Sequence, residues 1–439
     1  MHKLQAGGRA PAFFFGTVWL SWEARDAATE LPAEFDVIGI PSCTNRSSSD
    51  PTSAPSAGHD RPGLRNRGRR RRTRGIALHA AALLLSASAL HAQVPVTDTL
   101  TFEPFGLSGY PYIFYTPETD FALGGALVAT LRASADTTRK PSSATLSGYY
   151  SIKDQYDIYL VPEYYTPDNM FYITGFIDWG RFVDKFWGIG DTASDFPDVG
   201  YVRTLLAINV DVQYRVAEAL TIGMNYDLNN TVVTEKQSNP YLIAGSVTGS
   251  EGGFSSGLGI SLMFDTRDNG FAPYRGTLLK LNGYTYASWL GSEFPFERLT
   301  IDLRHYLPLT PNLVLALQTY LGYANGETPF YQLPLLGGSK VMRGYYLGRY
   351  RDNVYLAAQA EARWQIWRKF GAVVWVGMGG VASEFSSLML PRLRTTAGFG
   401  LRYALDEDER LNVRMDVGFG RDHMGVRSNG IYFDVKEAF

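Results

Sequence analysis

Long, unbroken alternation of apolar and polar residues limits this chain more than any other feature. In Arg298–Leu307, one face carries Leu299, Ile301, Leu303 and Leu307, and the other Arg298, Thr300, Asp302, Arg304 and Tyr306. Tyr355–Ile366 sets Leu356, Ala358, Ala360, Ala362, Trp364 and Ile366 against Ala357, Gln359, Glu361, Arg363 and Gln365. In Arg410–Gly420, Leu411, Val413, Met415, Val417 and Phe419 oppose Arg410, Asn412, Arg414, Asp416 and Gly418. Asn209, Asp211, Gln213 and Arg215 interleave with Ile208, Val210, Val212 and Tyr214 in the same way. A period of two is a strand with two unlike faces. Strands of soluble sandwiches end at about five or six residues. These runs reach the roughly ten residues that a tilted strand needs to cross a bilayer. Fold class is therefore all-β, with a transmembrane antiparallel barrel as the expected architecture.

Sixteen strands are expected, near 110–117, 121–133, 143–153, 155–163, 168–182, 201–215, 218–230, 255–267, 275–288, 297–307, 311–324, 353–366, 369–381, 392–404, 408–420 and 427–439. The long connections 183–200, 231–254, 325–352 and 382–391 fall on one side. Thr166-Pro167, Thr310-Pro311, Arg368-Lys369 and 406–409 are short and fall on the other. Transmembrane barrels place long loops outside and tight turns in the periplasm. The first strand is the least marked, and fourteen is the alternative count. Aromatic residues gather near strand ends (Tyr149 and Tyr150, Tyr164 and Tyr165, Trp364 and Trp367), as interfacial girdles do.

Upstream of the strands, residues 65–92 read as a signal peptide. Arg65, Arg67, Arg69 to Arg72 and Arg74 form a basic stretch, and Ile76 to Leu90 an apolar one too short to span a bilayer as a helix. Leu90-His91-Ala92 before Gln93 is a suitable cleavage site. Residues 1–64 precede it, rich in Pro, Ser, Gly and Arg and without a steady period. They read as disordered, or as the product of a mis-assigned start, with initiation near Leu64. Residues 93–109 would be a short periplasmic lead-in and 110–439 the barrel. The lone Cys43 falls upstream of the signal, so the mature chain would carry no disulfide. Export then leads to the outer membrane of a Gram-negative-type bacterium.

Three motifs resemble the BamA/TamA superfamily of outer-membrane barrels, also called bacterial surface antigens. The first is Phe264-Asp265-Thr266-Arg267-Asp268-Asn269, followed by Pro273 and Gly276. The second is Gly337-Gly338-Ser339-Lys340-Val341-Met342-Arg343-Gly344-Tyr345, which matches that family's Arg-Gly-aromatic motif. The third is a C-terminal series: Gln359-Ala360-Glu361-Ala362-Arg363, Ala397-Gly398-Phe399-Gly400-Leu401-Arg402-Tyr403, Arg414-Met415-Asp416 and the final Phe439. The resemblance covers 255–439 well and 110–254 faintly. It implies that the loop after the eleventh strand folds back into the lumen, with Val341, Met342, Arg343, Gly344 and Tyr345 at its tip. Arg343 would meet carboxylates on the inner wall, and Glu361 and Asp416 are the candidates. The alternation Ile431, Phe433, Val435, Glu437, Phe439 resembles the terminal signal by which outer-membrane barrels are recognised for insertion, here by strand addition to the assembly machinery.

Two departures from that pattern matter. Trp375-Val376-Gly377-Met378-Gly379 carries Gly377 where the family usually has an aspartate. And the seventeen residues between Gln93 and the first strand leave no room for a POTRA repeat, so a separate periplasmic partner would have to supply one.

Composition gives no reason to expect nucleic acid: 41 basic residues face 43 acidic ones. No cofactor or metal spacing appears, His305 and His423 being the only histidines after the signal. Gly253-Phe254-Ser255-Ser256-Gly257 spells a nucleophile elbow but lacks the helix that an elbow needs, so no enzyme activity is expected. Three functions remain. The first is assisting insertion or translocation of polypeptides. The second is a passive solute or ion channel with 325–352 as its constriction, lined by Asn209, Asp211, Arg215, Asp302, Arg304, Arg363, Arg402 and Arg414. The third is a structural surface antigen. Lipid, lipopolysaccharide and the barrel assembly machinery are the expected surroundings.

Overall fold

The computed structural model describes residues 104–116, 120–132, 141–166, 170–192, 199–236, 239–243, 245–407, 410–435 and 437–439. The expected signal peptide, residues 65–92, and the segment before it lie outside the described residues. Sixteen long strands pair in chain order as one antiparallel meander. They are β1 (Phe105–Thr116), β2 (Asp120–Leu131), β3 (Ser142–Ser151), β4 (Tyr156–Tyr165), β5 (Phe171–Lys185), β6 (Gly200–Ala217), β7 (Leu220–Glu235), β8 (Gly252–Asp265), β9 (Gly276–Tyr286), β10 (Phe296–Thr310), β11 (Leu313–Gly326), β14 (Val354–Trp367), β15 (Phe370–Ala382), β16 (Arg394–Asp406), β17 (Leu411–Arg421) and β18 (Arg427–Val435). Between β11 and β14, the two-residue strands β12 (Leu335–Leu336) and β13 (Tyr350–Arg351) form a separate hairpin. The strand count agrees with the alternation. β1 starts at Phe105 rather than at 110, β7 runs on to Glu235, and β18 stops at Val435.

Burial explains why such a sheet belongs in lipid. Along β15, Val374 and Val376 are 58% and 62% exposed, while Val373 and Trp375, which alternate with them, are each 2% exposed. On β16, Phe399, Leu401 and Tyr403 are exposed, and Arg402 is buried. The outward row is apolar, and most of the charged side chains of the wall lie on the inward row, the inverse of a soluble protein. Only hydrocarbon removes the cost of that outward row. At the short-turn end, Trp364, Trp367, Phe370 and Tyr403 stand exposed, and the rings of Trp367 and Phe370 stack 6.0 Å apart. These amphipathic rings form part of an interfacial girdle. The protein is a transmembrane β-barrel.

The long connections share the opposite end. A helix of one turn, α1 (Pro240–Ile243), sits in the β7–β8 connection. Asn239 precedes it and donates from Nδ2 to the Phe186 and Val199 carbonyls at 2.8 and 2.9 Å. Phe186, Tyr201, Val233, Leu242, Phe330 and Tyr331 make one buried cluster there. Arg351, on β13, donates to the carbonyls of Phe330 and Lys185. Loop residues are thus packed with their own small core.

Candidate functional site

The connection from β11 to β14 enters the lumen because its own hairpin stiffens it. The Gly348 N–H donates to the Leu336 carbonyl at 3.0 Å, and Leu336, Met342, Tyr345 and Tyr350 pack on Tyr355, Ala357 and Val381 of the wall. At the tip, Met342 (φ 58°) and Gly344 (φ 110°) take left-handed conformations. Gly344 lies flat on β17: a Cβ there would stand 2.8 Å from the Gly420 nitrogen. The opposite surface is equally bare, since a Cβ on Gly418 would meet the Arg343 carbonyl carbon at 2.8 Å. Gly418 and Gly420 share the inward face of β17 with Arg414 and Asp416. They form a platform on which the tip's backbone rests.

That close approach delivers Arg343 to two carboxylates. Its Nη1 donates to Asp416 Oδ2 at 2.6 Å, and its Nη2 donates to Glu361 Oε2. The guanidinium carbon lies 3.7 Å from the Trp375 ring centroid, and all three charged side chains are fully buried. A buried charge requires this degree of pairing. The two carboxylates are held in turn by the wall. Arg363 Nε donates to Glu361 Oε1 at 2.8 Å, Arg402 Nη1 to Asp416 Oδ1 at 2.6 Å, and Arg414 Nη1 to Asp416 Oδ2 at 3.0 Å. Glu437 closes the set, accepting from Arg402 Nε at 2.7 Å and Asn412 Nδ2 at 2.8 Å.

Backbone bonds fix the rest of the tip. The Gly344 N–H donates to the Tyr432 hydroxyl at 2.7 Å, and Thr396 Oγ1 donates to the Arg343 carbonyl. Tyr345 donates from its hydroxyl to the Thr395 carbonyl at 3.1 Å. Arg414 Nη1 donates to the Ser339 carbonyl at 2.9 Å, and Gln359 Nε2 to the Lys340 carbonyl at 2.8 Å. Val341 packs partly buried against the hairpin cluster. Gly377, which stands where an aspartate was expected, faces Gln359 and Thr396: a Cβ there would sit 3.1 Å from the Gln359 Cβ. The neighbouring Gln359 amide supplies a loop contact in its place.

The sequence reading placed Arg343, Glu361 and Asp416 in one candidate site, and they meet in the lumen. It overlooked Tyr432, Thr396, Gln359 and the glycine platform. The positions of Gln359 and Gly418 on polar faces gave the available signal for these.

The C-terminal face needs a correction. Ile431, Phe433, Val435 and Phe439 do not form one continuous outward row. Phe433 is exposed, but β18 ends at Val435, whose side chain lies outside the described residues, and Phe439 is buried with Tyr306, Val314, Ala316 and Ala438. The Phe439 main-chain oxygen accepts from Arg363 Nη2 at 2.6 Å, and the guanidinium lies 5.0 Å from the Phe439 ring centroid. Once Glu437 is drawn to Arg402 and Asn412, the strand period is broken and the segment turns inward.

The other two sequence features lie away from the loop. In the Phe264–Asn269 motif, Arg267 forks onto Asp265 at 3.0 and 2.8 Å, and Asn269 Oδ1 accepts from the Phe271 and Ala272 N–H groups. Arg410 Nη1 donates to Asp268 Oδ2 at 2.8 Å, joining two short turns. Burial opposes the charge on Asp268, but the Arg410 bond and the Tyr274 and Arg275 amides win and lower its pKa. Gly253 to Gly257 lie within β8, as a strand rather than an elbow.

A sixteen-stranded antiparallel barrel with an arginine-tipped loop folded inward onto its C-terminal wall defines an outer-membrane β-barrel. The Omp85 superfamily domain matches residues 143–435, and the chain belongs to that superfamily. Among solved structures, it is similar to BamA from Haemophilus ducreyi lacking POTRA domains 1–3: 14% identity, TM-score 0.56, covering 82% of this chain and 78% of that one. It is also similar to CdiB from Escherichia coli: 12% identity, TM-score 0.52, covering 77% of this chain and 63% of that one. At these identities the likeness is one of fold. No curated protein sequence matches the chain.

Proposed function

We propose that this barrel assists the insertion or translocation of polypeptides at the outer membrane, with the β11–β14 loop as a lumenal plug. The observation that supports this most is the Arg343 lock, a loop tip pinned inside the wall of an Omp85 barrel by two buried carboxylates. A rigid plug keeps the membrane sealed at rest, and its release frees the lumen face of β14 to β17. Lipid and lipopolysaccharide surround the barrel, the assembly machinery inserts it after signal-peptide export, and a separate periplasmic partner delivers the polypeptides.

The first test is single-channel conductance in a planar bilayer, for the intact protein and a version lacking 330–350. The proposal expects a closed or flickering intact protein that opens when the loop is removed. A steady, sizeable pore in the intact protein would instead favour a solute channel lined by the inward charges. The second test follows the folding of a denatured eight-stranded outer-membrane barrel into liposomes. Acceleration by the reconstituted protein is expected, and an unchanged rate would remove insertion from the proposal.

A further inference from the structure

Far from the loop tip, the inward face of β6 and β7 carries a polar patch that the Arg343 lock does not use. Strand register pairs Asn209 with Asp227 and Asp211 with Asn225. Members of one strand are two residues apart, so all four share a face. Facing Cβ atoms in such a pair lie about 5 Å apart, and next-but-one neighbours roughly 7 Å. Two amides and two carboxylates thus stand at the corners of one small rectangle. Two tyrosines of β9 reach over to it. A Cβ on Gly257 or Gly259 of β8 would stand 2.7 or 2.6 Å from the Tyr286 or Tyr284 ring, so the rings cross β8 over bare backbone. The Tyr286 hydroxyl donates to Asp227 Oδ2 at 2.6 Å, and Asn209 Nδ2 donates to the Tyr284 hydroxyl at 3.3 Å.

This patch is short of positive charge. Arg298 approaches Asp227 only to 3.8 Å. Asp211 is fully buried, and its donors are neutral: the Gln213 amide at 2.6 Å and the Ser261 hydroxyl at 3.3 Å. No cationic side chain pairs with it among the described residues. Opposite Asp211, Asn225 is 2% exposed, and neither atom of its amide has a partner among the described residues. Asn209 Oδ1 has none either. A buried carboxylate without a counter-charge and amide groups without partners are both costly. One cation answers both, neutralising Asp211 and taking the amide oxygens as ligands. Asp211 can keep Gln213 and Ser261 meanwhile, since each carboxylate oxygen has a second lone pair.

The ligands on offer are all oxygens, which selects a hard cation. The unpartnered atoms are closed to solvent, so the ion must shed most of its water. Calcium tolerates irregular oxygen cages, whereas magnesium demands near-octahedral geometry and dehydrates reluctantly. We infer that Asn209, Asp211, Asn225 and Asp227 form a calcium site in the barrel wall, with Asp211 and the Asn225 carbonyl oxygen as its main ligands.

The test titrates calcium chloride by isothermal calorimetry into the full chain, folded in detergent and stripped with EDTA. One saturable event is expected, and calcium should raise the midpoint of heat-modifiable gel migration. Asp211→Asn keeps the side chain's shape and removes its charge. Asn225→Leu keeps the volume and removes the amide. Each should weaken calcium about tenfold or more, since losing even a partner of a metal ligand costs that much. Without calcium, Asn225→Leu should resist heat at least as well as its parent, because no hydrogen bond is lost. If Asp211→Asn does not fold, Asn225→Leu decides. Absence of saturable binding would overturn the inference, as would unchanged calcium affinity in either folded variant, which would put the ion elsewhere on the chain. Equal affinity for magnesium would overturn it too, marking a site for a hydrated ion. So would a calcium-free Asn225→Leu that is less stable or fails to fold, because the amide would then already be hydrogen-bonded.

Discussion

Replacing Arg343 with alanine should free the loop without dismantling the wall. Arg343 makes two charged hydrogen bonds, each worth about 1.5–3 kcal/mol, and a desolvated contact with Trp375 worth up to about 2 kcal/mol. Removing one member of a buried pair usually costs about 3–5 kcal/mol, much of it from the charge left behind. Here the charge left behind is covered. The set contains four guanidinium groups (Arg343, Arg363, Arg402, Arg414) and three carboxylates (Glu361, Asp416, Glu437). Without Arg343 the balance becomes three against three, and each carboxylate keeps an arginine. The cost therefore falls at the lower end, about 3 kcal/mol, and on loop docking rather than on the barrel. Ser339 is buried at the tip, and its replacement by cysteine reports docking through labelling with a water-soluble maleimide. Where reclosing outpaces labelling, the rate follows the open population. A loss of about 3 kcal/mol then raises the rate on the order of 100-fold. Glu361→Gln should do more damage, because four guanidiniums would then share two carboxylates. The reasoning fails if Arg343→Ala labels within about threefold of its parent, or if the whole barrel melts with the loop.

Other perturbations act on separate parts of the same lock. Gly418→Ala places a methyl 2.8 Å from the Arg343 carbonyl carbon and the Gly344 nitrogen, so the tip must lift; labelling at position 339 should rise as it does for Arg343→Ala. Tyr432→Phe strands the buried Gly344 N–H at a cost of about 1–3 kcal/mol and should raise labelling about fivefold or more. An unchanged rate would mean that this N–H finds another acceptor. At the turns, the lowered pKa of Asp268 means that its contact with Arg410 stabilises above the ordinary carboxylate range and is lost as pH falls through the depressed folded-state value. Asp268→Asn should therefore lower the heat-modification midpoint at pH 6, by the equivalent of about 0.5 kcal/mol for so exposed a pair, and the difference should vanish in acid. A difference that persists at pH 2 would assign the effect to the turn's backbone bonds instead.

The sequence by itself determined the wall. Strand faces follow from period two, which is a local property, so Val374 and Val376 against Trp375 could be read in place. Membrane crossing followed from strand length, and the side on which each connection falls followed from counting. Arg343 also stood out, through the resemblance of Val341 to Tyr345 to the superfamily's Arg-Gly-aromatic motif. The resemblance named Glu361 and Asp416 as its partners, and tertiary structure alone decided how they reach it. Glu361 and Asp416 lie on β14 and β17, 18 and 73 residues along the chain, and they converge only because the loop descends onto bare glycines. The fate of Phe439 was likewise illegible. Alternation continues on paper through Ile431, Phe433, Val435, Glu437 and Phe439, but Arg402 and Arg363 capture Glu437 and the Phe439 oxygen and turn the segment inward. Local periodicity sets which face a residue shows. Buried charges choose their partners by distance in the folded barrel, and chain separation carries no information about that distance.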